Sequence, residues 1–373
     1  MQKKYTSLGL MSGTSGDGVD ASIIHSNGID QFEVVKDKYF EYDHNIYRDI
    51  HALKEKIFNI YDLKKYSNEL LDLERKITIF HSKIIKEMEF NFDDILVGFH
   101  GQTIYHNSKE KISKQLGDGK LLHQLTKKKI IYNFRKNDIV NGGEGAPLAP
   151  IFHQLITIQK NILLPVCFLN IGGISNITIV NKPLGLMELY SRDIGPGNCL
   201  IDAWLRKNSN KKFDFEGNIA SIGKKNEIIF EQARELYSNR IDKKKLSFDV
   251  SDFDISFARG LSLEDGTTTL TDFTASIIGE EISTSLLKFE NKIENILICG
   301  GGRKNKVLIN KIKENSSINF NFRLIDDYKI NGDFIESQAF AFLAIRSLLK
   351  FPISFPKTTG CRKSCTGGEI IEN

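Results

Sequence analysis

The sequence predicts an α/β protein of two lobes, and three observations carry that expectation. The chain has 373 residues, enough for two lobes with cores of their own. Each half opens with the same pattern: a short apolar strand, a turn of glycine and small polar residues, then a second apolar strand. Further apolar runs, Ile95 to Phe99 and Ile296 to Cys299, alternate with long stretches at helical spacing.

The first hairpin pairs Tyr5–Leu10 with Val19–Ile24 around Gly9-Leu10-Met11-Ser12-Gly13-Thr14-Ser15-Gly16-Asp17-Gly18-Val19-Asp20. A turn this poor in side chains can present backbone N–H groups and hydroxyls to phosphate. Asp17 and Asp20 would repel phosphate unless a divalent cation stood between them, so the turn reads as a phosphate loop with a Mg²⁺-linked carboxylate. Gly13 and Gly18 have Walker A spacing, but Val19 and Asp20 occupy the places of its Lys and Ser/Thr, which excludes that loop. A glycine-rich hairpin without a ligand is the alternative.

Phe32 to Tyr42 extends the hairpin to a meander. Asn45 to Met88 has helical spacing, with Asp62 and Ser67 as caps. Ile95–Phe99 leads into His100-Gly101-Gln102-Thr103, polar residues at a strand end, where ligand sites gather in open sheets. A polar loop with a core-packed His is the competing reading. Lys129 to Phe134 is a strand ending at Arg135, and Asp138 to Leu148 is too rich in glycine to be regular.

The second hairpin, Val166 to Val180, turns at Gly172-Gly173, with a third strand expected over Leu186–Tyr190. Two glycine turns, one per lobe, would hold a triphosphate between them. Asp193 follows, before Gly195-Pro196-Gly197 and a helix through Trp204; it is placed as a general base, or else as that helix's cap. Glu264 to Thr267 caps a helix over Thr268–Phe289. Gly300-Gly301-Gly302 after Cys299 allow a flat ring or ribose to lie on the backbone, and the next helix presents its N-terminus to phosphate. Glu336 sits in the first turn of an apolar helix running from Asp333 to Leu349, and the tail beyond Phe351 reads as irregular.

Composition excludes other classes. A formal charge of +4 with acids and lysines interleaved does not argue for nucleic acid. No apolar run is long enough for a bilayer or shaped as a signal peptide, which points to the cytoplasm. The 5 cysteines are odd in number. Cys167, Cys199 and Cys299 read as core residues, and Cys361 and Cys365 as a surface pair, with a metal or redox role as the alternative. All 8 histidines precede residue 154 without HExxH or paired CxxC spacing, so no structural zinc site is expected.

Taken together, GLMSGTSGDGVD at 9–20, HGQT at 100–103, QLGD at 115–118, FRKNDIVNGGEGAPLAP at 134–150, LNIGGISN at 169–176, DIGPGN at 193–198, the GTTTLTDFTA region at 266–275, CGGG at 299–302, ESQAFAFLA at 336–344 and TTG at 358–360 resemble the anhydro-N-acetylmuramic acid kinase family, of the actin, hexokinase and Hsp70 ATPase superfamily. The resemblance runs almost end to end. It implies a two-lobed fold of duplicated ribonuclease H-like domains with a central nucleotide cleft, one lobe over 1–140 completed by 340–373 and the other over 141–339. It also implies ATP and Mg²⁺ as cofactors, 1,6-anhydro-N-acetylmuramic acid as substrate, and a homodimer without nucleic acid or membrane partners.

Carried over to this sequence, Gly13, Thr14, Ser15, Gly16, Asp17, Gly18, Val19 and Asp20 would hold ATP phosphates, with Asp17 toward Mg²⁺. Gly172 and Gly173 would form the second phosphate turn, and Gly300, Gly301, Gly302 and Asn305 would contact the nucleoside. Arg135, Asn176 and Glu336 would line the sugar site, and Asp193 would be the base. Asn133 stands where the family has an Asp beside Phe-Arg, and Ser337 where it has Ala. A kinase of the same fold acting on an ordinary sugar or carboxylate, or a non-catalytic ATP-driven module, are the rival readings.

Overall fold

The computed structural model describes residues 3–88, 94–182, 189–240, 246–289 and 292–372. The chain divides into two units: residues 1–162, 182–190 and 333–373 form one, residues 163–181 and 191–332 the other.

The first unit opens with the meander β1 (Tyr5–Ser12), β2 (Gly18–Ser26) and β3 (Phe32–Glu41). Three helices follow, α1 (His44–Lys54), α2 (Ile60–Lys65) and α3 (Ser67–Glu87). The caps differ from those expected. Asp43 caps α1, and Asn59 caps α2 with Asp62 closing a capping box from the third helical position. Ser67 is the first residue of α3, whose start has no side-chain cap.

Strand β4 (Ile95–Asn107) does not stop at Phe99. Its register against β1 shifts between Leu10 and Met11, opposite Phe99 and Gly101, and Gly101 has φ +75°, so the glycine makes a bulge and the strand continues. It folds back as β5 (Ile112–Leu116), then α4 (Gly119–Thr126), β6 (Lys129–Tyr132), α5 (Lys136–Val140) and α6 (Pro150–Gln159) complete this stretch. Helix α5 places regular structure at the start of a segment expected to have none.

The second unit carries β7 (Val166–Ile171), β8 (Ile174–Val180) and β9 (Leu189–Pro196). Leu186 to Met187, where the third strand was expected to start, lie outside the described residues. Helices α7 (Cys199–Asn208), α8 (Glu227–Arg240) and α9 (Leu263–Leu286) precede β10 (Asn295–Cys299), α10 (Lys306–Asn315) and β11 (Asn321–Leu324). Ser262, accepting from the Asp265 amide, caps α9, which therefore starts earlier than the Glu264–Thr267 cap predicted.

The chain then returns to the first unit with α11 (Ile335–Leu348), α12 (Pro356–Thr359) and β12 (Glu369–Ile371). The tail read as irregular thus supplies a strand, antiparallel to β6.

Both sheets repeat one order. In the first it is β12-β6-β4-β1-β2-β3 with β5 on β4; in the second, β11-β10-β7-β8-β9. Strand β1 is antiparallel to β2 and parallel to β4, and β7 is antiparallel to β8 and parallel to β10. A meander followed by parallel strands, built twice, is the duplicated ribonuclease H-like α/β arrangement. Among the described residues, no helix is long and apolar enough to cross a membrane.

Helix α11 is apolar all round and buried from Ser337 to Ser347, as expected of a helix covered on every side. It lies directly on the first sheet. A Cβ at Gly9 would stand 1.9 Å from the Ser337 carbonyl oxygen, and one at Gly98 2.4 Å from that of Phe340. Ser337 uses its hydroxyl here, 2.6 Å from that of Ser22.

Two histidines are sealed in the first unit. His81 packs on Phe99 with ring centroids 4.8 Å apart, and His153 is 2% exposed. Burial pushes His81 down to about 4 and His153 down to about 3.

Gly9→Ala and Gly98→Ala are each expected to cost about 3 kcal/mol or more, because the obstructing atoms are backbone and cannot swing aside; the midpoint of urea unfolding measures this. Gly301→Ala, with nothing within 4 Å of its Cβ position, should stay within about 0.5 kcal/mol of the parent.

Both histidines have folded pKa values below the unfolded value of about 6.5. Their stabilising effect is therefore complete above pH 6.5 and is lost as pH falls toward 4 and 3, at about 1.4 kcal/mol per pH unit for each. His81→Gln and His153→Gln should each flatten the acid limb of a stability-against-pH curve by that amount.

Candidate functional site

The sequence-predicted residues fall into both units. Gly13 to Asp20, Arg135 and Glu336 belong to the first; Gly172, Gly173, Asn176, Asp193, Gly300 to Gly302 and Asn305 belong to the second.

In the first unit the turn between β1 and β2 closes with the Gly16 amide on the Gly13 carbonyl at 3.1 Å, and Gly16 has φ +70°. Three of its carbonyls are engaged. Gln102 Nε2 donates to the Gly13 oxygen at 2.9 Å, Lys54 Nζ to that of Thr14 at 2.5 Å, and the Tyr42 amide to that of Asp17 at 2.9 Å. Tyr42 also meets the Ser12 hydroxyl at 2.6 Å, so one residue holds both ends of the turn. With the Gly13, Thr14 and Asp17 carbonyls occupied, the turn has N–H groups and hydroxyls to offer an anion.

Asp17 Oδ1 is buried without a hydrogen-bond partner. Burial and then the charges of Asp17, Glu41 and Asp20 push the Tyr39 phenol up, so three carboxylates gather around one ring. An orphaned carboxylate oxygen among like charges fits a hard divalent cation.

Arg135 precedes α5 and donates from Nη2 to His100 Nε2 at 3.0 Å. His100 is buried, and its Nδ1 lies 2.8 Å from the Gly101 carbonyl, so that nitrogen carries the proton and Nε2 accepts. Burial, then the Arg135 charge, hold His100 well below its ordinary value, and the ring is neutral. His100 thus orients the guanidinium.

The loop after α5 is organised by buried Asp138, whose carboxylate accepts from the Gly145 amide at 2.7 Å and the Thr359 hydroxyl at 2.6 Å. Asn133, at φ +55°, sends its side chain to Glu369 at 3.1 Å. Glu336 is half-buried in the first turn of α11.

In the second unit the turn Gly172-Gly173 is likewise held by its carbonyls. The Gly197 and Cys199 amides reach the Gly173 oxygen at 2.9 and 3.2 Å, and the Asn198 amide reaches that of Gly172 at 2.8 Å. Only glycine fits at 197, where a Cβ would lie 2.2 Å from the Gly172 oxygen. Asn176 is paired across the hairpin with Asn170.

The three glycines after β10 divide their work. Gly300 and Gly302 press against Asn170 and Ile171 at the end of β7, leaving no space for a side chain, whereas the Cβ position of Gly301 faces open space. Asn305 caps α10, accepting from the Leu308 amide at 3.0 Å.

Asp193 lies within β9 and is 6% exposed. Its Oδ2 accepts from the Phe248 amide at 2.7 Å, and its own amide donates to the Leu246 carbonyl at 2.7 Å. It does not cap α7, whose N-cap residue is Asn198 and whose start has no side-chain cap. The segment 246–248, fastened to Asp193 from both sides, carries no motif that sequence reading could use. The same is true of Lys54 and Tyr42. Gln102 was visible through the HGQT motif.

The chain matches the family model described as Anhydro-N-acetylmuramic acid kinase over residues 5–373. A Pelagibacter ubique (strain HTCC1062) protein named anhydro-N-acetylmuramic acid kinase is 55% identical over 375 residues, covering 100% of both chains. A Zymomonas mobilis subsp. mobilis protein of the same name is 34% identical, covering 97% of this chain and 98% of its own. Among solved structures, the activator of the 2-hydroxyisocaproyl-CoA dehydratase from Clostridium difficile with bound ADPNP aligns at TM-score 0.40 and 12% identity, over 91% of this chain and 94% of its own. Component A of the Acidaminococcus fermentans (R)-2-hydroxyglutaryl-CoA dehydratase aligns at TM-score 0.42 and 10% identity, over 93% and 100%.

Proposed function

This chain belongs to the anhydro-N-acetylmuramic acid kinase family, and on that premise we propose that it opens the 1,6-anhydro ring of 1,6-anhydro-N-acetylmuramic acid and phosphorylates oxygen 6 at the expense of ATP. The products are N-acetylmuramate 6-phosphate and ADP, and the pathway is peptidoglycan recycling. The observation that carries this reading is the 55% identity to a kinase of that name over the whole of both chains.

The sugar has no free hydroxyl at carbon 6, because that oxygen is tied to the anomeric carbon. Asp193 takes a proton from a water, and the hydroxide attacks carbon 1. The bond from carbon 1 to oxygen 6 breaks, and oxygen 6 takes the γ-phosphoryl group. The departing alkoxide is captured by phosphorus, so no separate general acid is needed. The Phe248 amide on Oδ2 fixes the carboxylate's rotation, which a base acting on a positioned water requires.

Gly13 to Asp20 and Gly172-Gly173 serve as phosphate-binding turns, supported by the engaged carbonyls of Gly13, Thr14 and Asp17 in the first and of Gly172 and Gly173 in the second. Gly301 is where the nucleoside approaches the backbone, flanked by Gly300, Gly302 and Asn305. Asp17, with its orphaned oxygen, would hold Mg²⁺, which would supply positive charge against the phosphates. Arg135, Asn176 and Glu336 contact the sugar. The enzyme works as a homodimer in the cytoplasm.

Purified protein with ATP, Mg²⁺ and the anhydro sugar in ¹⁸O water should give a 6-phosphate carrying the label at carbon 1. Asp193→Asn should lower turnover by about two to four orders of magnitude while ATP binding survives. Preferential phosphorylation of N-acetylmuramate itself, with no label incorporated, would overturn the proposal, and an active Asp193→Asn enzyme would remove that residue from its role.

A further inference from the structure

Cys361 and Cys365, read from sequence as a surface pair, are buried at 2% and 3% exposure. Their neighbour is Asp138, 1% exposed. The two Sγ atoms and a carboxylate oxygen of Asp138 all lie within 4.8 Å of one another. Ligand atoms around a tetrahedral Zn²⁺ stand roughly 3.5–4 Å apart, given metal–sulfur and metal–oxygen bonds of about 2.3 and 2.0 Å.

The backbone that delivers these groups is fastened on every side. Helix α12 ends at Gly360 with φ +76°, and the Thr359 hydroxyl donates to Asp138 Oδ1 at 2.6 Å. The Cys365 amide donates to the Ser354 carbonyl at 3.0 Å, and its carbonyl accepts from the Ile353 amide at 2.8 Å. Between the cysteines, the Arg362 amide reaches the Asn141 oxygen at 3.1 Å, tying the segment to the end of α5.

A second, independent sign is Ser354. It is 1% exposed, and its hydroxyl lies within hydrogen-bonding reach of both thiols. A buried hydroxyl, two thiols and a carboxylate converging on one point form a ligand set that the proposed kinase chemistry does not use.

We infer that Asp138, Cys361 and Cys365 form a site for a borderline-soft divalent cation, Zn²⁺ in particular, with the Ser354 hydroxyl beside the fourth position. Two thiolates exclude a preference for Mg²⁺ or Ca²⁺, which take oxygen ligands. Binding moves one proton from each thiol to solvent and changes no oxidation state. Cys365 gives up its hydrogen bond to the Lys363 carbonyl, 3.0 Å away, in exchange for the metal. A cation supplies the charge that makes deprotonation favourable. Because Asp138 also holds the Gly145 amide, the ion would clamp the tail to the glycine-rich loop after α5.

The test uses the full chain, reduced and stripped with chelator, titrated with Co²⁺ as a spectroscopic substitute. The expected result is a thiolate-to-cobalt charge-transfer absorption in the near ultraviolet, saturating at a single ion per chain and abolished by Zn²⁺. Affinity should rise with pH by up to about a hundredfold per unit, since both thiols must ionise. The double variant Cys361→Ala/Cys365→Ala should lose the absorption. The inference is overturned if the parent protein shows no such band, a result independent of any variant's folding. It is equally overturned if the band persists in the double variant, or if mild oxidation joins the two sulfurs while the reduced protein takes up no metal.

Discussion

The approach of α11 to β1 and β4 leaves room for no side chain between helix and sheet, and the first unit is arranged around that contact. Gly9 and Gly98 let the helix backbone settle on the strands, and Ala341 and Ala344 supply correspondingly small faces. A polar link crosses the same interface: the Ser22 hydroxyl donates to Asp37 at 2.6 Å, and Gln338 Nε2 donates to the same carboxylate at 3.0 Å. The floor of the hairpin is therefore rigid. Its turn, Gly13 to Asp17, is restrained by Tyr42, Gln102 and Lys54. Donors held in place before a ligand arrives need no reorganisation when charge develops, which is the main electrostatic resource of a phosphoryl-transfer site.

The two units solve one problem with different parts. Each needs a strand-to-strand turn whose acceptors are engaged, since an idle carbonyl would face an anion with the wrong sign. In the first unit the partners are side chains from α1 and β4 and the amide of Tyr42, just after β3. In the second they are three successive amides at the start of α7, which also aligns that helix's N-terminus with the turn. Topology is duplicated; the means of satisfying the turn are not.

Much of this was legible in the residues. The hairpins announce themselves because apolar runs break at glycine and resume, and the sheet's tight fit to α11 is foreshadowed by a helix apolar on every face. What escaped depended on distance or on a single dihedral angle. Gly101 looks like the end of a strand in letters, but its positive φ makes it a bulge inside one. Asp62 is a fair cap by type, yet Asn59 stands three residues earlier in the extended conformation that capping needs, and Asp62 answers it from inside the helix. The burial of Cys361 and Cys365 is set by Asp138 and Ser354, and the anchoring of Asp193 by Phe248. No local pattern encodes those meetings, because they exist only once remote segments have packed.

The first unit is assembled from both ends of the chain. Its central helix, α11, and its edge strand, β12, are translated after the whole of the second unit. On a ribosome the inserted unit is complete while its neighbour still lacks the element that covers β1 and β4. The N-terminal meander must then wait, with an apolar sheet face uncovered, until the last segment emerges. For this chain, the glycines that admit the helix also mark a surface open to chaperones and to premature association during synthesis.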